Sequence, residues 1–227
     1  MNVLDWLSNN YIEIFGAVTG VLFVILEVRQ SIWLWPVGIL TSAFYIFIFF
    51  TAKLYADMTL QGYYLIISII GWYWWIHGSR FRRSISKGER PGVHGSGNPE
   101  DVGQVKGNIE EGMKNVLQVT RLKRKTGLIL TVVFVFLYCL MWQILSRFTD
   151  SPVPGWDSFI TSLSIVATWM LARKIYEHWF VWILVNIVSA VLFFNRGLHP
   201  TVILYAIYAI MSFTGLFVWK KAITQMN

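Results

Sequence analysis

The chain has 227 residues, of which 56% are hydrophobic, 17% aromatic and only 14% charged, against about 25% charged in an ordinary soluble domain. That balance excludes such a domain and points to lipid as the solvent. The net charge of +7 would suit nucleic acid, but the basic clusters Arg80–Arg83 and Arg121–Lys125 flank apolar segments, where lipid headgroups are the partner to expect.

From the amino end, Met1–Tyr11 has no Lys or Arg and no small-residue cleavage pattern. It does not resemble a cleavable signal, so the first helix is expected to be retained. Apolar stretches follow at 12–28, 33–52, 58–77, 127–146, 158–172, 179–195 and 201–219. Their lengths suit helices crossing a hydrocarbon core about 30 Å thick; the fifth is short and is expected to borrow residues from its flanks. Twelve Trp and ten Tyr fit aromatic belts at two interfaces. The fold class is therefore all-α integral membrane, with seven transmembrane helices. The one cysteine, Cys139, lies in the fourth stretch, so no disulfide can form within the chain, and a thiol against bundle or lipid is expected.

With seven spans, Lys53, Arg147 and Arg196 lie on one side and the other 16 of the 19 basic residues on the opposite side. The positive-inside rule then places the 78–126 connection and the carboxyl terminus in the cytoplasm and the amino terminus outside. Within that connection, Ser84–Asn115 is rich in Gly, Ser, Pro and mixed charge. It reads as a mobile loop, and its glycines follow no phosphate-binding pattern.

The stretch Arg29–Trp75 recurs without a gap at Arg173–Trp219, with 14 of 47 positions identical at a shift of 144. Arg29/Arg173, Trp35/Trp179, Tyr64/Tyr208, Ser68/Ser212, Gly71/Gly215 and Trp75/Trp219 all fall in one register. Upstream the pairing continues weakly through Glu13/Asp157 and Phe15/Phe159. Three helices per copy plus one linking helix make the copies parallel, a 3+1+3 arrangement. The expected units are a first repeat at 1–77, a cytoplasmic basic loop at 78–126, a linking helix at 127–147 and a second repeat at 148–227. Repeats in a membrane protein suggest a transporter with a site between the copies near the midplane.

In the sixth helix Trp179, Trp182, Asn186, Ser189 and Phe193 share one face, with Trp35, Gly38, Ser42, Tyr45 and Phe49 as partners in the second. The third helix offers Gln61, Tyr64, Ser68, Gly71 and Trp75, matched in the seventh by Tyr205, Tyr208, Ser212, Gly215 and Trp219. The small residues Ser68, Ser212, Gly71 and Gly215 can serve close packing. Trp35, Trp75 and Trp219 lie near helix ends and read as interfacial anchors. Asn186 cannot face lipid, because its amide needs partners there; with Gln61 and deeper-lying Trp182 it favours a ligand site. Aromatic faces and amides suit a flat, polar, cationic small molecule. Glu13, Glu27, Asp57 and Asp157 lie near predicted helix ends, which leaves no evident mid-span titratable group and favours facilitated diffusion. The histidines His77, His94, His178 and His199 have no metal-ligand spacing, and no enzyme signature, metal or cofactor motif stands out.

The run Arg173-Lys174-Ile175-Tyr176-Glu177-His178-Trp179-Phe180-Val181-Trp182-Ile183-Leu184-Val185-Asn186 resembles the PnuC family of vitamin transporters, through its Trp-x-x-Trp-x-x-x-Asn pattern. Leu54-Tyr55-Ala56-Asp57, Leu60-Gln61, Gly71-Trp72-Tyr73 and Trp156-Asp157-Ser158 extend the likeness over both repeats. The resemblance implies uptake of nicotinamide riboside, an NAD precursor, across the bacterial inner membrane. It also implies a fold related to SWEET sugar transporters, a homotrimer, and facilitated diffusion with a cytoplasmic kinase trapping the substrate. Relatives serve thiamine, riboflavin or deoxynucleosides on the same scaffold. By motif, Gln61, Trp179, Trp182 and Asn186 are the expected binding residues, with Ser42, Tyr64, Ser68 and Tyr208 beside them on the stripes.

Overall fold

The computed structural model describes residues 11–51, 55–86, 118–149 and 152–224. Its helices are α1 (Tyr11–Val28), α2 (Leu34–Thr51), α3 (Tyr55–Ser86), α4 (Arg124–Phe148), α5 (Pro154–Ala172), α6 (His178–Asn195) and α7 (His199–Thr224). The seven expected segments all appear. α3 runs nine residues past its expected end at position 77: the stretch after His77 has no Pro, and Arg80, Arg82 and Arg83 are good helix formers that offset Gly78. α5 does borrow from its flank, starting at Pro154, a residue suited to a first helical position because its missing N–H would have had no partner there. Most of the loop expected at Ser84–Asn115 lies outside the described residues, as do the side chains of Glu13, Asp57, His77 and His94.

Helix contacts close a ring: α1 touches α2, α2 touches α3, α3 touches α5, α5 touches α6, α6 touches α7, and α7 returns to α1. A shift by one repeat maps this ring onto itself, so the copies are related by an approximate two-fold. Among the described residues α4 packs on α5 alone. It buries no residue and presents Leu128, Val132, Val135 and Phe136 outward, with Cys139 also exposed. α2, α4, α6 and α7 are long and apolar enough to cross a membrane. α5 is less apolar because Ser158, Ser162, Ser164 and Thr168 are buried within the bundle. Ser158, Ser164 and Thr168 are satisfied by carbonyls one turn back, which removes most of the cost of placing hydroxyls in an apolar interior.

The repeat is legible in turn geometry. α1 ends with Gln30 at φ 51° and α5 with Lys174 at φ 51°, positions related by the 144-residue shift. In each turn one N–H reaches back five residues, Ser31 to Leu26 and Ile175 to Met170, and its predecessor reaches back three. This is the Schellman ending, which satisfies the last carbonyls of the helix. A short segment before α4 then docks on the second turn. Thr120 N–H donates to Lys174 O at 3.0 Å, Tyr176 N–H to Thr120 O at 2.9 Å, and Leu122 N–H to Glu177 Oε2 at 2.7 Å.

The principal apolar core lies at the end of the bundle where these turns sit. It contains Leu34, Trp35, Ile67, Trp75, Val119, Leu171, Ala172, Tyr176, Trp179 and Trp219. Trp35 meets Trp75 edge-to-face at 5.4 Å, and Trp179 meets Trp219 the same way at 5.7 Å. Each lead tryptophan lies across a glycine of the neighbouring helix: a Cβ on Gly71 would enter the Trp35 ring, and one on Gly215 the Trp179 ring. The expectation of interfacial anchors for Trp35, Trp75 and Trp219 is therefore wrong. Their exposures are 0%, 4% and 0%: Gly71 lets the Trp35 ring slide between helices, and Trp75 and Trp219 pack edge-to-face on Trp35 and Trp179. Trp75 Nε1 donates to Ala172 O and Trp219 Nε1 to Glu27 O, at 3.2 and 3.1 Å. The tryptophans seal one end of the ring.

Candidate functional site

Above the tryptophan layer the ring encloses a cavity of about 330 Å³, at the small end of the roughly 300–1,000 Å³ of ligand pockets. Along α1 its wall runs from Glu27 to Gly16, a rise of about 16 Å at helical pitch. All eight residues singled out from the sequence, Gln61, Trp179, Trp182, Asn186, Ser42, Tyr64, Ser68 and Tyr208, line this one space. The stripes on α2, α3, α6 and α7 thus converge.

Asn186 is 5% exposed. Its Nδ2 donates to Ser212 Oγ at 3.1 Å, and Ser212 Oγ donates to the Tyr208 carbonyl at 2.8 Å. This chain fixes the amide between α6 and α7 and leaves its carbonyl oxygen available to the cavity. Four residues earlier, one helical turn, Trp182 lines the same wall, and its buried Nε1–H has no partner among the described residues. Trp179 Nε1–H is likewise unpartnered. A buried donor without an acceptor costs about 1–3 kcal/mol, so a ligand oxygen supplying that acceptor would recover the loss. Ser68 is packed against Gly38, whose Cβ would sit 2.9 Å from Ser68 Oγ. The small residues therefore serve packing and cavity wall together.

α1 and α5 contribute what the stripe reading missed. Gly16, Thr19, Gly20, Phe23 and Glu27 come from α1, and Ile160, Ser164 and Thr168 from α5. Both glycines lie under a tyrosine tip: a Cβ on Gly16 would displace the Tyr45 hydroxyl, and one on Gly20 the Tyr208 hydroxyl. Their spacing of four, like Ser164/Thr168, was a usable signal for a helix face.

Sequence position makes Glu27 a helix-end acid. It does end α1, yet it is 2% exposed and lines the cavity. Its Oε1 lies 3.0 Å from His178 Nε2, and His178 is wholly buried. His178 Nδ1 lies 2.6 Å from the Ile175 carbonyl, which can only accept, so Nδ1 carries a proton. The second contact holds one further proton shared between imidazole and carboxyl.

The comparisons agree with this architecture. The family model described as "Nicotinamide mononucleotide transporter" matches residues 10–221. The nicotinamide riboside transporter PnuC of Escherichia coli is 25% identical over 212 residues, covering 92% of this chain and 85% of that one. The riboflavin/roseoflavin transporter RibM of Streptomyces davaonensis is 24% identical over 226 residues, covering 95% and 92%. A crystal structure of the vitamin B3 transporter PnuC shares the fold, with a TM-score of 0.65 at 20% identity over 99% of this chain and 87% of that one. These relatives are transporters and not enzymes, and the chain belongs to the nicotinamide mononucleotide transporter family of multi-pass membrane proteins.

Proposed function

We propose that the chain carries nicotinamide riboside across the bacterial inner membrane by facilitated diffusion, with a cytoplasmic kinase converting the product and so drawing uptake forward. The observation that carries this reading is the convergence of all eight stripe residues on one small cavity, with the Trp182 N–H and the Asn186 carbonyl oxygen presented to a ligand. A pyridinium ring suits the aromatic walls, and a ribose with a carboxamide suits the free donor and acceptor. Thiamine has the same charge and similar size and is the second reading within the family. Riboflavin, the cargo in RibM's name, has a tricyclic ring that is a poorer match to about 330 Å³.

The 16-to-3 split of basic residues supports a cytoplasmic carboxyl terminus. On that orientation the tryptophan seal lies at the cytoplasmic end, and the cavity is closed towards the cytoplasm. Subunits assemble as a homotrimer in this reading, as the resemblance implies. Proteoliposomes test the mechanism. Uptake should stop when internal and external nicotinamide riboside match, imposed proton or sodium gradients should not move that endpoint, and enclosed kinase with ATP should drive accumulation further. Accumulation that follows either ion without kinase sinks the uncoupled mechanism.

A further inference from the structure

The repeat makes one departure from symmetry conspicuous. Shifting Glu27 by 144 positions gives Leu171, and shifting His178 back gives Leu34. Both leucines are wholly buried in the tryptophan core. Each pair joins one residue from each repeat, so of two seats related by the approximate two-fold one is filled by Leu34 and Leu171 and the other by His178 and Glu27. Burying two ionisable groups where leucines fit is costly, and well-packed apolar replacements for such pairs are often neutral or stabilising. Packing does not explain the exchange.

The arrangement has a direction. Glu27 is the one carboxylate among the described residues lining the cavity, and Asp, Lys, Arg and His are absent from that lining. His178 lies behind it, with ring centroids 4.6 Å from Trp179 and 4.7 Å from Trp219. Wedged between the two indoles, with Nδ1–H committed to the Ile175 carbonyl, the imidazole fixes the Glu27 carboxylate at the cavity wall. The carboxylate of the pair lines the cavity and the imidazole does not. Trp179 and Trp182 line the adjoining wall.

From this we infer that Glu27, oriented by His178, is a specificity-determining residue. It selects a cationic heteroaromatic ligand over a neutral one of the same shape. The inference rests on the small-molecule carrier reading above and adds which ligand property the site measures. Glu27 is 2% exposed, so attraction between its carboxylate and a ring cation is screened less than at an open surface, whereas a neutral isostere gains nothing from it.

The test uses purified full-length chain and two matched pairs: nicotinamide riboside with its neutral 1,4-dihydro form, and thiamine with its neutral thiophene analogue. Binding is read by calorimetry and Trp fluorescence. Wild type should prefer at least one cation over its neutral mate. Glu27→Gln keeps a hydrogen bond to His178 and should weaken that cation tenfold or more, about 1.4 kcal/mol, while moving its neutral mate by less than about twofold. The double variant Glu27→Leu/His178→Leu copies the two-fold-related Leu171 and Leu34; it should stay folded by size-exclusion and lose the preference. Equal loss of both members in Glu27→Gln, or no loss of either, overturns the inference. So does a wild type that holds the neutral compounds as tightly as the cations. Thiamine selection without nicotinamide riboside binding retires the substrate assignment and upholds the role of Glu27. A wild type that binds none of the four overturns both.

Discussion

The two halves of the ring share their packing and differ in their chemistry. Trp35 on Gly71 beside Trp75 is reproduced by Trp179 on Gly215 beside Trp219, with edge-to-face angles of 87° and 82°. Yet Gly38 and Ser42 in one half stand where Trp182 and Asn186 stand in the other, and Leu34 and Leu171 where His178 and Glu27 stand. Some duplicated positions let helices approach closely, as Trp35/Trp179 on Gly71/Gly215 do, and others line the cavity in both halves, as Tyr64/Tyr208 and Ser68/Ser212 do. These four divergent pairs each place a residue that lines the cavity or, like His178, backs it. A symmetric frame thus holds an asymmetric site, as recognition of an asymmetric small molecule requires.

The sharpest way to break this division is to cut the frame in both halves. Trp35→Ala and Trp179→Ala each empty a wholly buried indole seat, and such truncations cost about 3–5 kcal/mol of stability. Thermal melts in detergent should show both losses, of similar size, because both rings bridge a glycine. A large loss for one and none for the other would show that the seal is carried by one half only.

Next in size are the divergent positions. Trp182→Ala should weaken cationic ligand by about 2 kcal/mol or more, from a lost desolvated cation–π contact, with little change in melting because the ring faces the cavity. Asn186→Ala should cost about 1–3 kcal/mol of binding by leaving a ligand group unpaired. The repeat mate Ser42→Ala should cost less than either, since its side chain offers a shorter reach and no amide. Calorimetric titrations that rank Ser42→Ala with Asn186→Ala would erase the proposed asymmetry of the site.

How far sequence alone reaches follows the same line. Helix existence was legible from apolar stretches, and the convergence of α2, α3, α6 and α7 from stripes matched across the repeat. The α1 and α5 walls were not, because they are made of Gly16, Gly20, Ser164 and Thr168, small residues that signal packing as readily as lining. The tryptophan seal escapes sequence for a depth reason: proximity to a helix end predicts an interface unless a neighbouring glycine, as for Trp35, or a neighbouring ring, as for Trp75 and Trp219, takes the indole inside. Glu27 was missed likewise. Its chain position is terminal, while the turn that follows and α6 wrap it to 2% exposure. Depth in a bundle is a tertiary property that spacing along one helix cannot supply.

The smallest effect expected is also the cleanest probe of the frame's symmetry. Gln30 and Lys174 occupy the left-handed region at the same φ in equivalent turns, a conformation that costs a non-glycine residue about 1 kcal/mol or more. Glycine removes that strain but is itself disfavoured by its freedom in the unfolded chain, by about 0.5–1 kcal/mol. Gln30→Gly should therefore gain a few tenths to about 1 kcal/mol. Lys174→Gly relieves the same strain and loses the ammonium stacked 4.1 Å from the Trp75 ring centroid, a contact worth about 0.5–1 kcal/mol at an exposed site. Its net change should lie near zero. Melting temperatures measured side by side separate the cases. Equal gains would show that the Lys174–Trp75 contact contributes nothing, whereas a loss at Gln30→Gly would show that the left-handed turn stores no strain for glycine to release.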